Sequence, residues 1–414
     1  MLHFTHKDLN LFIRQDALEQ PKCLIFLLRG MRPLLIAANR LFLLTVILGS
    51  PILQATAQTP AAPPPDVVVF TNGDQLTGAV ERGVGDSIVF KSDMAGEITI
   101  PLAKIKELRS QSKFAVLRKG APITRKATVP AGTLAVDEKA VTLSTPTGAP
   151  LTVPNNDVAF IIDSDTYNKE VGHHSFKDGW NGAITGGATI VSSTQNGESF
   201  TAGIGLVRTI PTVPWLPRRD RTIFNLVETY GKLTQPVIPQ TTPPTPDTTV
   251  KTSIFHSDIE QDKYLTSRFY VLALASFDHN FSQGLNLQQI YGGGVGWTAI
   301  LTPKQELDLT ANIHYERQAF IIASENQNLI GATVGEAYLY HFPHGILFTE
   351  SGSFLPAFNN SSAYSANFAA GLALPAYHRF SFSFGTTDSY LHQPSAGYKN
   401  NSFQFVTGVT YTLH

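Results

Sequence analysis

The feature that most constrains this chain is a strict alternation of apolar and polar residues in its C-terminal half. In 306–316 every odd-numbered residue is apolar and every even-numbered residue is polar or charged. The same alternation returns in 379–386 and in 402–414. Because successive side chains of a β-strand point to opposite faces, each segment is predicted to be a strand with one apolar and one polar face. Strand length separates membrane-spanning from soluble strands, because about 9 to 11 tilted residues cross a bilayer whereas soluble strands average about 5 or 6 residues.

These strands favour a membrane-spanning barrel over a soluble β-sandwich. Phe380, Phe382 and Phe384 share one face, an arrangement that is costly in water and typical of the lipid-facing side of outer-membrane barrels. The mature chain has no apolar stretch long enough for a membrane helix. Because open sheet edges cannot be satisfied in hydrocarbon, a spanning sheet must close. We therefore predict an all-β chain with an antiparallel transmembrane β-barrel over 179–414.

The barrel region contains twelve candidate strands, an even number as in bacterial barrels. Ten strands are the alternative, because the alternation between 199 and 264 is blurred. The Pro-rich stretch 235–247 cannot sit inside a ladder and is predicted to be a long loop. The candidate strands lie near 180–194, 199–210, 221–234, 250–264, 267–280, 285–301, 305–319, 328–342, 345–357, 361–374, 377–390 and 401–413.

Charge excludes one class of partner. The sequence has 31 basic and 32 acidic residues, a net charge of -1, and only 15% of its residues are charged. Such a balance provides no basic field for nucleic acid, so we predict no nucleic-acid binding.

The N-terminal residues have the order of a secretory signal. A basic segment that starts at Met31 precedes the apolar run 41–53 and the small-residue pattern Ala55-Thr56-Ala57, so 31–57 is predicted to be a signal peptide. Residues 1–30 resemble neither a signal nor a domain, and we expect translation to start at Met31. The only cysteine, Cys23, lies upstream of that start. Residues 58–65, rich in Ala and Pro, are predicted to be a stiff linker.

An internal repeat follows over 66–163. The segment around Phe90 corresponds to the segment around Leu143, and 97–101 corresponds to 150–154, at a separation of 53 residues. Short apolar stretches between turn residues make both copies β-structure. We predict a duplicated β-domain in the periplasm, with small SH3-like or Sm-like barrels as its units, and a polar linker over 164–178.

Several motifs resemble a known family. These are 72–78 (NGDQLTG), 95–101 (AGEITIP), the barrel start 179–182 (GWNG) and the glycine-rich 291–297 (YGGGVGW). Together they resemble the uncharacterised salt-induced outer membrane protein family of Gram-negative bacteria. The resemblance implies an outer-membrane location, a β-barrel and a link to salt or osmotic stress. The family brings no established reaction, so it supplies no catalytic, cofactor-binding or metal-binding residue.

One group on the polar face is a candidate catalytic site. His314 is in phase with Asp308 and Glu316, and a histidine beside an orienting carboxylate is the arrangement of a general base. The alternative is that barrel lumens are polar and hydrated, so acids and histidines collect there as ion pairs. We favour the lumen interpretation and predict that the protein is not an enzyme.

Metal and phosphate sites were tested in the same way. His341 and His344, and the pair His173-His174, lack the cysteines or patterned carboxylates that accompany zinc ligands, so we predict turn or linker histidines. The glycines of 292–296 lack the lysine and helix of a phosphate loop. In a strand, such glycines permit bending or a close backbone approach. No metal or cofactor is predicted.

Three functions remain open at this stage. We favour a non-enzymatic outer-membrane barrel that acts as a pore, an envelope component or an adaptor. The expected partners are outer-membrane lipid and the barrel-assembly machinery, with a periplasmic protein or peptidoglycan for the β-domain. The alternatives are an outer-membrane hydrolase or acyltransferase acting on lipid, and a soluble periplasmic β-sandwich binding module. The sequence does not fix an oligomeric state.

Overall fold

The computed structural model describes residues 64–121, 129–145, 148–172, 175–192, 196–235 and 248–413. The predicted upstream segment, the signal peptide, His173, His174 and most of the Pro-rich stretch lie outside the described residues. No helix within the described ranges is long and apolar enough to cross a membrane.

The N-terminal region is one nine-stranded antiparallel sheet. Its spatial order is β4-β3-β2-β1-β5-β6-β7-β8, and β9 pairs with both β2 and β5 and so closes the sheet on itself. The strands are β1 Asp66–Phe70, β2 Gln75–Val84, β3 Ser87–Ser92, β4 Gly96–Pro101, β5 Ile105–Arg118, β6 Ala131–Asp137, β7 Ala140–Ser144, β8 Leu151–Pro154 and β9 Val158–Asp163.

The duplication predicted from the sequence is visible in the connectivity. Each copy is a five-stranded meander whose last strand follows a 3-10 turn, Leu102–Lys104 or Asn155–Asp157, and returns beside its first strand. The long strand β5 belongs to both copies. Its first half pairs with β1 and closes the first copy, and its second half pairs with β9 and opens the second copy.

The two copies share one hydrophobic core. Phe90 and Leu143, the residues matched by the sequence repeat, are both fully buried in it, together with Ile88 and Val141 of the same strands. The alternate positions of these strands include Lys91, Thr142 and Ser144, which are at least partly exposed to water, although Val89 in the same phase is buried. The region therefore has a dry interior and a wet exterior, as expected for soluble β-structure.

The segment after β9 connects this region to the barrel and has structure of its own. A helix at Ser164–Tyr167 and a π-helical turn at Asn168–Gly172 lie in the stretch predicted to be a linker. Glu170 is buried, and its carboxylate accepts hydrogen bonds from the backbone N–H and the hydroxyl of Thr212, at 2.6 and 2.8 Å. An apolar cluster seals the same contact. Its members are Ala115, Leu117, Ile162, Tyr167, Val171 and Leu216, flanked by Val129, Phe160, Val213 and Trp215.

The C-terminal region is a closed antiparallel barrel of twelve strands, which confirms the predicted fold and strand number and leaves the ten-strand alternative wrong. Each strand pairs with the next, and β21 returns to β10. The strands are β10 Trp180–Ser192, β11 Asn196–Ile210, β12 Asp220–Gln235, β13 Thr248–Tyr264, β14 Phe269–Asn280, β15 Leu285–Leu301, β16 Gln305–Phe320, β17 Gln327–His341, β18 Leu347–Pro356, β19 Tyr364–Tyr377, β20 Phe380–Leu391 and β21 Asn401–Leu413.

The outer face of the barrel is a band of exposed apolar and aromatic side chains. These residues occupy one phase of their strands and are between 39% and 65% exposed. Exposed apolar surface of this extent is typical of a lipid-facing wall. The band includes Phe200, Tyr230, Ile259, Val271, Tyr291, Trp297, Ile313, Ile330, Val334, Phe354, Phe368, Phe382, Phe384, Phe403, Phe405 and Val409.

Candidate functional site: the barrel lumen

The lumen has two chemically different walls. On β12 to β16 the inward phase carries charged residues, whereas on β18 to β21 it carries mainly Ser, Thr, Asn, Gln, Gly and Ala. Small neutral side chains leave space, so the charged wall faces the roomier half of the lumen. The inward-phase charged residues and histidines are Arg221, His256, Asp258, Glu260, Asp262, Asp278, Glu306, Asp308, His314 and Glu316.

A buried charge cluster lies on the lumen side of the strands near the short β13–β14 and β15–β16 turns. The Arg221 guanidinium donates to Asp262 at 2.6 Å and to Asp308 at 2.5 Å. Asp308 also accepts a hydrogen bond from Thr298 at 2.6 Å. Because both carboxylates are buried and paired through one guanidinium, loss of Arg221 would leave two uncompensated charges, which is far more costly than loss of a surface ion pair.

Arg218 ties this cluster to the connection between β11 and β12. Its guanidinium donates to both carboxylate oxygens of Glu306, with an Nη2–Oε2 distance of 2.7 Å. Arg218 lies in the connection that precedes β12. Its hydrogen bonds to Glu306 raise the pKa of the guanidinium further above the usual arginine range. Trp215 and Leu216 of the same connection pack against the N-terminal region. One loop therefore contributes both to the lumen cluster and to the contact between the N-terminal region and the barrel.

The glycine run 292–296 makes room for a tyrosine. Gly292, Gly294 and Gly296 face the lumen on β15, and the Tyr270 ring lies over Gly296 so closely that a Cβ there would be 2.1 Å from the ring. Arg221 stacks over the same ring, with its guanidinium carbon 5.0 Å from the centroid. The close approach expected for this segment is therefore present, and it places an aromatic ring within the charged cluster.

The accessible part of the charged wall is centred on His256. Its Nδ1 is 2.5 Å from Asp278 and its Nε2 is 2.9 Å from Asp258. The histidine side chain is 46% exposed, and those of Asp258 and Asp278 are 24% and 25% exposed. These three side chains are therefore in contact with water, unlike Asp262 and Asp308.

The structure separates Asp308 from His314 but keeps Glu316 beside the histidine. Asp308 and His314 are six residues apart on β16, which at roughly 3.4 Å per residue places them about 20 Å apart. His314 instead hydrogen-bonds to the Thr333 hydroxyl at 3.0 Å and lies 3.6 Å from Glu316. Glu316 accepts hydrogen bonds from Gln288 and Gln318, and both His314 and Glu316 are buried. Both side chains are therefore enclosed in a packed polar network.

The loops at the far end fold over part of the lumen. Gln283 is buried and its amide donates to the backbone carbonyls of Ser389 and Asn400, at 2.9 and 2.7 Å. Ser395 donates to Glu325 at 2.5 Å, and Leu285, Phe320 and Leu391 form an apolar cluster beneath. This packing narrows the lumen along strands β14 to β20.

His341 and His344, predicted to be turn histidines, lie at the connection between β17 and β18. His341 ends β17, and His344 adopts a φ of 65° in the turn before β18. Within the described residues no group of three or more histidine, cysteine or acidic side chains is arranged to hold a metal ion.

Sequence reasoning missed the accessible site. His256, Asp258, Glu260 and Asp262 alternate along β13, so their common face was detectable in the sequence. The partner Asp278 is 22 residues away from His256, and it meets the histidine only through the register of β13 with β14.

A family model matches the C-terminal part of the chain. The DUF481 family, described as proteins of unknown function, matches residues 242–413, which extend from β13 to the last strand. No curated protein matches the sequence.

Three solved structures show low similarity. An outer membrane channel from Pseudomonas putida F1 has 11% identity and a TM-score of 0.32, over 58% of this chain and 100% of its own. The β-domain of the Bordetella autotransporter BrkA has 10% identity and a TM-score of 0.29, over 57% and 98%. A FadL homologue from Pseudomonas aeruginosa has 9% identity and a TM-score of 0.22, over 84% and 85%. Similarity at this level assigns no function to the chain.

Proposed function

We propose that this protein is a non-enzymatic outer-membrane channel for small polar solutes, with a preference for cations and with its N-terminal β-domain in the periplasm. The apolar band on the outside and the polar residues on the inside support the membrane location, because only a lipid-embedded barrel is stabilised by that arrangement.

The acidic excess of the lumen carries the proposal. Seven carboxylates face inward, namely Asp258, Glu260, Asp262, Asp278, Glu306, Asp308 and Glu316. Arg221 and Arg218 pair with three of them, Asp262, Glu306 and Asp308. Of the other four, Asp258 and Asp278 contact His256 and Glu316 lies 3.6 Å from His314, while no described lysine or arginine pairs with any of the four. Seven carboxylates against two arginines and two histidines give the lumen an acidic excess, which raises the local cation concentration and opposes anions.

The His256 site is where a passing cation would meet this field. Asp258 and Asp278 line the water-accessible part of the lumen, on either side of one imidazole. The opposite wall carries small neutral side chains, which would leave room for a hydrated cation beside these carboxylates.

The position of the N-terminal region supports a periplasmic placement. It contacts the loop between β11 and β12, which is at the end of the barrel that has the short turns. Short turns are typical of the periplasmic end of outer-membrane barrels, and longer loops of the outer end. A role under salt stress would follow from the family resemblance, and growth of a deletion strain at high salt would test it.

Planar-bilayer recording of the full chain tests the proposal. Under a KCl gradient, we expect the reversal potential to show selectivity for potassium over chloride. Combined Asp258→Asn and Asp278→Asn substitutions remove the accessible carboxylates, and the potassium-to-chloride permeability ratio should fall by about twofold or more. Asp93→Asn, in an exposed turn of the N-terminal region, removes one carboxylate elsewhere and should leave the ratio unchanged.

Two results would contradict the channel. A folded barrel that conducts no current would show that the protein is not a channel. A barrel that prefers chloride would show that the lumen does not select for cations. Heat-modifiable gel mobility confirms that each variant is folded. Recovery of the protein in the soluble periplasmic fraction, with no mobility shift, would exclude the barrel itself.

A further inference from the structure

The barrel wall is incompletely paired at its closing seam. The ladder between β10 and β21 covers Gly182–Gly187 and Gly408–Leu413, six residues of each strand. The next-shortest ladder, between β17 and β18, covers eight residues, Val334–His341. Beyond Gly187 and Gly408, the described residues 188–192 of β10 pair only with β11, and residues 401–407 of β21 pair only with β20. The upper part of the seam therefore has two free strand edges that face each other.

Glycines mark the point where pairing stops. A Cβ on Gly408 would lie 2.4 Å from the carbonyl oxygen of Gly186, and one on Gly187 would lie 2.6 Å from that of Thr407. The last paired rung is thus a bare backbone contact without interlocking side chains. Such a rung can open with little loss of packing.

A cavity with mixed polar and apolar walls lies beside the free edge. It has a volume of about 380 Å³ and is lined by residues of the unpaired part of β21, including Ser402 and Gln404. Across the cavity lie Ser199, Thr229 and Ile254 of β11, β12 and β13, and Lys399 stands in the loop before β21. Beside apolar residues such as Ile254 and Val406, the cavity walls offer hydroxyl, amide and ammonium groups that can hydrogen-bond to a polar head.

An apolar groove lies on the outer side of the same seam. It has a volume of about 790 Å³, and Gly186, Ala188 and Ala202 form its floor. Phe200, Tyr230 and Phe382 form its sides, and Glu228 is its one charged residue. The Glu228 carboxylate accepts a hydrogen bond from Ser253 at 2.6 Å, so this acid is already paired. Aromatic walls over a floor without side-chain bulk suit an extended alkyl chain.

The cavity and the groove meet along three strands. On β21, residues 401–406 line the cavity and residues 407–409 line the groove. On β11, Ser199 lines the cavity and the next residue, Phe200, lines the groove. Thr229, which lines the cavity, lies between Glu228 and Tyr230, which line the groove. Phe403 and Phe405 project outward from the free edge and are 65% and 62% exposed, so the edge lies within the lipid-facing band.

We propose that the seam above Gly187 and Gly408 is a lateral portal, through which a single-chain amphiphile moves between the lumen and the bilayer. Its polar head would occupy the cavity while its alkyl chain lies in the groove. Unpaired backbone groups are costly in hydrocarbon, and a polar head passing between the edges offers them hydrogen-bond partners that an alkyl chain lacks. The portal concerns the wall of the barrel and does not depend on cation passage along its axis.

The test measures contact between a membrane-dissolved probe and the lumen. Gln404→Cys in a Cys23→Ser background places a bimane fluorophore in the cavity of the full-length barrel in phosphatidylcholine vesicles. The probe is an amphiphile with a dodecyl chain and a nitroxide head, and quenching reports entry of the head. Ala188→Trp with Ala202→Trp fills the groove floor and should reduce quenching by roughly fivefold or more, since a filled groove no longer buries the chain.

A matched pair of substitutions separates the portal from general disturbance of the wall. Ile184 and Ile204 pair on the same two strands and the same outer face but do not line the groove, so Ile184→Trp with Ile204→Trp should leave quenching unchanged. Potassium conductance should be the same in all variants, so loss of the channel and loss of the portal are distinguishable. Equal quenching before and after filling the groove, in barrels that retain heat-modifiable mobility, would overturn the portal.

Discussion

The two β-regions of this chain use the same alternation in opposite senses. In the N-terminal sheet the inward phase is apolar, as at Phe90 and Leu143, and the outward phase is mostly polar, as at Lys91 and Thr142. In the barrel the inward phase is polar, as at Asp258 and Asp308, and the outward phase carries exposed residues such as Ile313. Alternation alone therefore determines that a strand has two different faces, but not which of them meets the solvent.

Strand length and aromatic content distinguish the two cases. Most strands of the N-terminal sheet have four to seven residues, whereas those of the barrel have 10 to 17. The phenylalanines of the sheet, such as Phe90 and Phe114, are buried, and those of the barrel wall, such as Phe382, Phe403 and Phe405, are exposed. Long strands with aromatic residues on one face thus indicate that the apolar face is outside, because the surrounding medium is lipid.

Removing an apolar core side chain should affect only the N-terminal sheet. Phe90 is fully buried, and Phe90→Ala should lower the free energy of unfolding of this region by about 3 to 5 kcal/mol. Urea titration followed by the fluorescence of Trp215, with Trp180 and Trp297 replaced by Phe, would report it, since Trp215 lies at the contact between the two regions.

Heat-modifiable mobility should show an intact barrel in the Phe90→Ala variant. Met94→Ala, at a position that is 97% exposed, serves as the control and should change neither readout. Simultaneous loss of the barrel would show that the two regions are not separate folding units, and the contrast between them would then fail.

A charge placed on an exposed apolar position should destabilise the barrel but leave the stability of the N-terminal region nearly unchanged. Ile313 lies at the middle of β16 on the outer face and is 65% exposed. Ile313→Arg should destabilise the barrel by about 2 to 4 kcal/mol, because the guanidinium would enter the bilayer core. Met94→Arg, at a position exposed to water, should change stability by only about 0.5 kcal/mol or less.

Folding into vesicles at graded urea concentrations measures the stability of the barrel in the Ile313→Arg variant. Trp215 fluorescence in urea measures the stability of the N-terminal region in the Met94→Arg variant. If Ile313→Arg had no effect, the apolar band would not face lipid, and the inside-out relation between the two regions would be wrong.

The sequence predicted the elements whose alternation is strict. β16 was expected at 305–319 and extends over Gln305–Phe320, because each of its inward residues is polar from Glu306 to Gln318. The phase was blurred between 199 and 264 for a physical reason. Ile223, Val227 and Ile254 point inward among polar neighbours, so the lumen of this wall is not uniformly polar.

Features that depend on pairing between distant segments were not predictable. The repeat indicated two copies of one unit, but no local pattern shows that β5 serves both, since that depends on its pairing with β1 and with β9. The contact of His256 with Asp278 depends on strand register in the same way. The short ladder between β10 and β21 joins the first and last strands of the barrel, which are more than 200 residues apart in the chain.

The smallest expected effect is a pH dependence confined to the N-terminal sheet. One carboxylate oxygen of Asp137 accepts the backbone N–H groups of Lys139 and Ala140, each at 2.8 Å, in the turn between β6 and β7. These hydrogen bonds lower the pKa of Asp137 below its ordinary value of 3.8. A lowered pKa in the folded state means that the carboxylate stabilises the fold above pH 3.8, and that this contribution is lost as the pH falls through the lowered pKa.

Asp137→Asn should therefore make the stability of the N-terminal sheet less dependent on pH in this acidic range. The change should be small because Asp137 is exposed and its interactions are screened by water. Trp215 fluorescence in urea at a series of pH values would measure it, with Asp93→Asn as a control that retains the dependence of the parent chain. A barrel whose heat-modifiable mobility changed in parallel with Asp137→Asn would show that this turn acts on both regions, and the pH effect would no longer separate them.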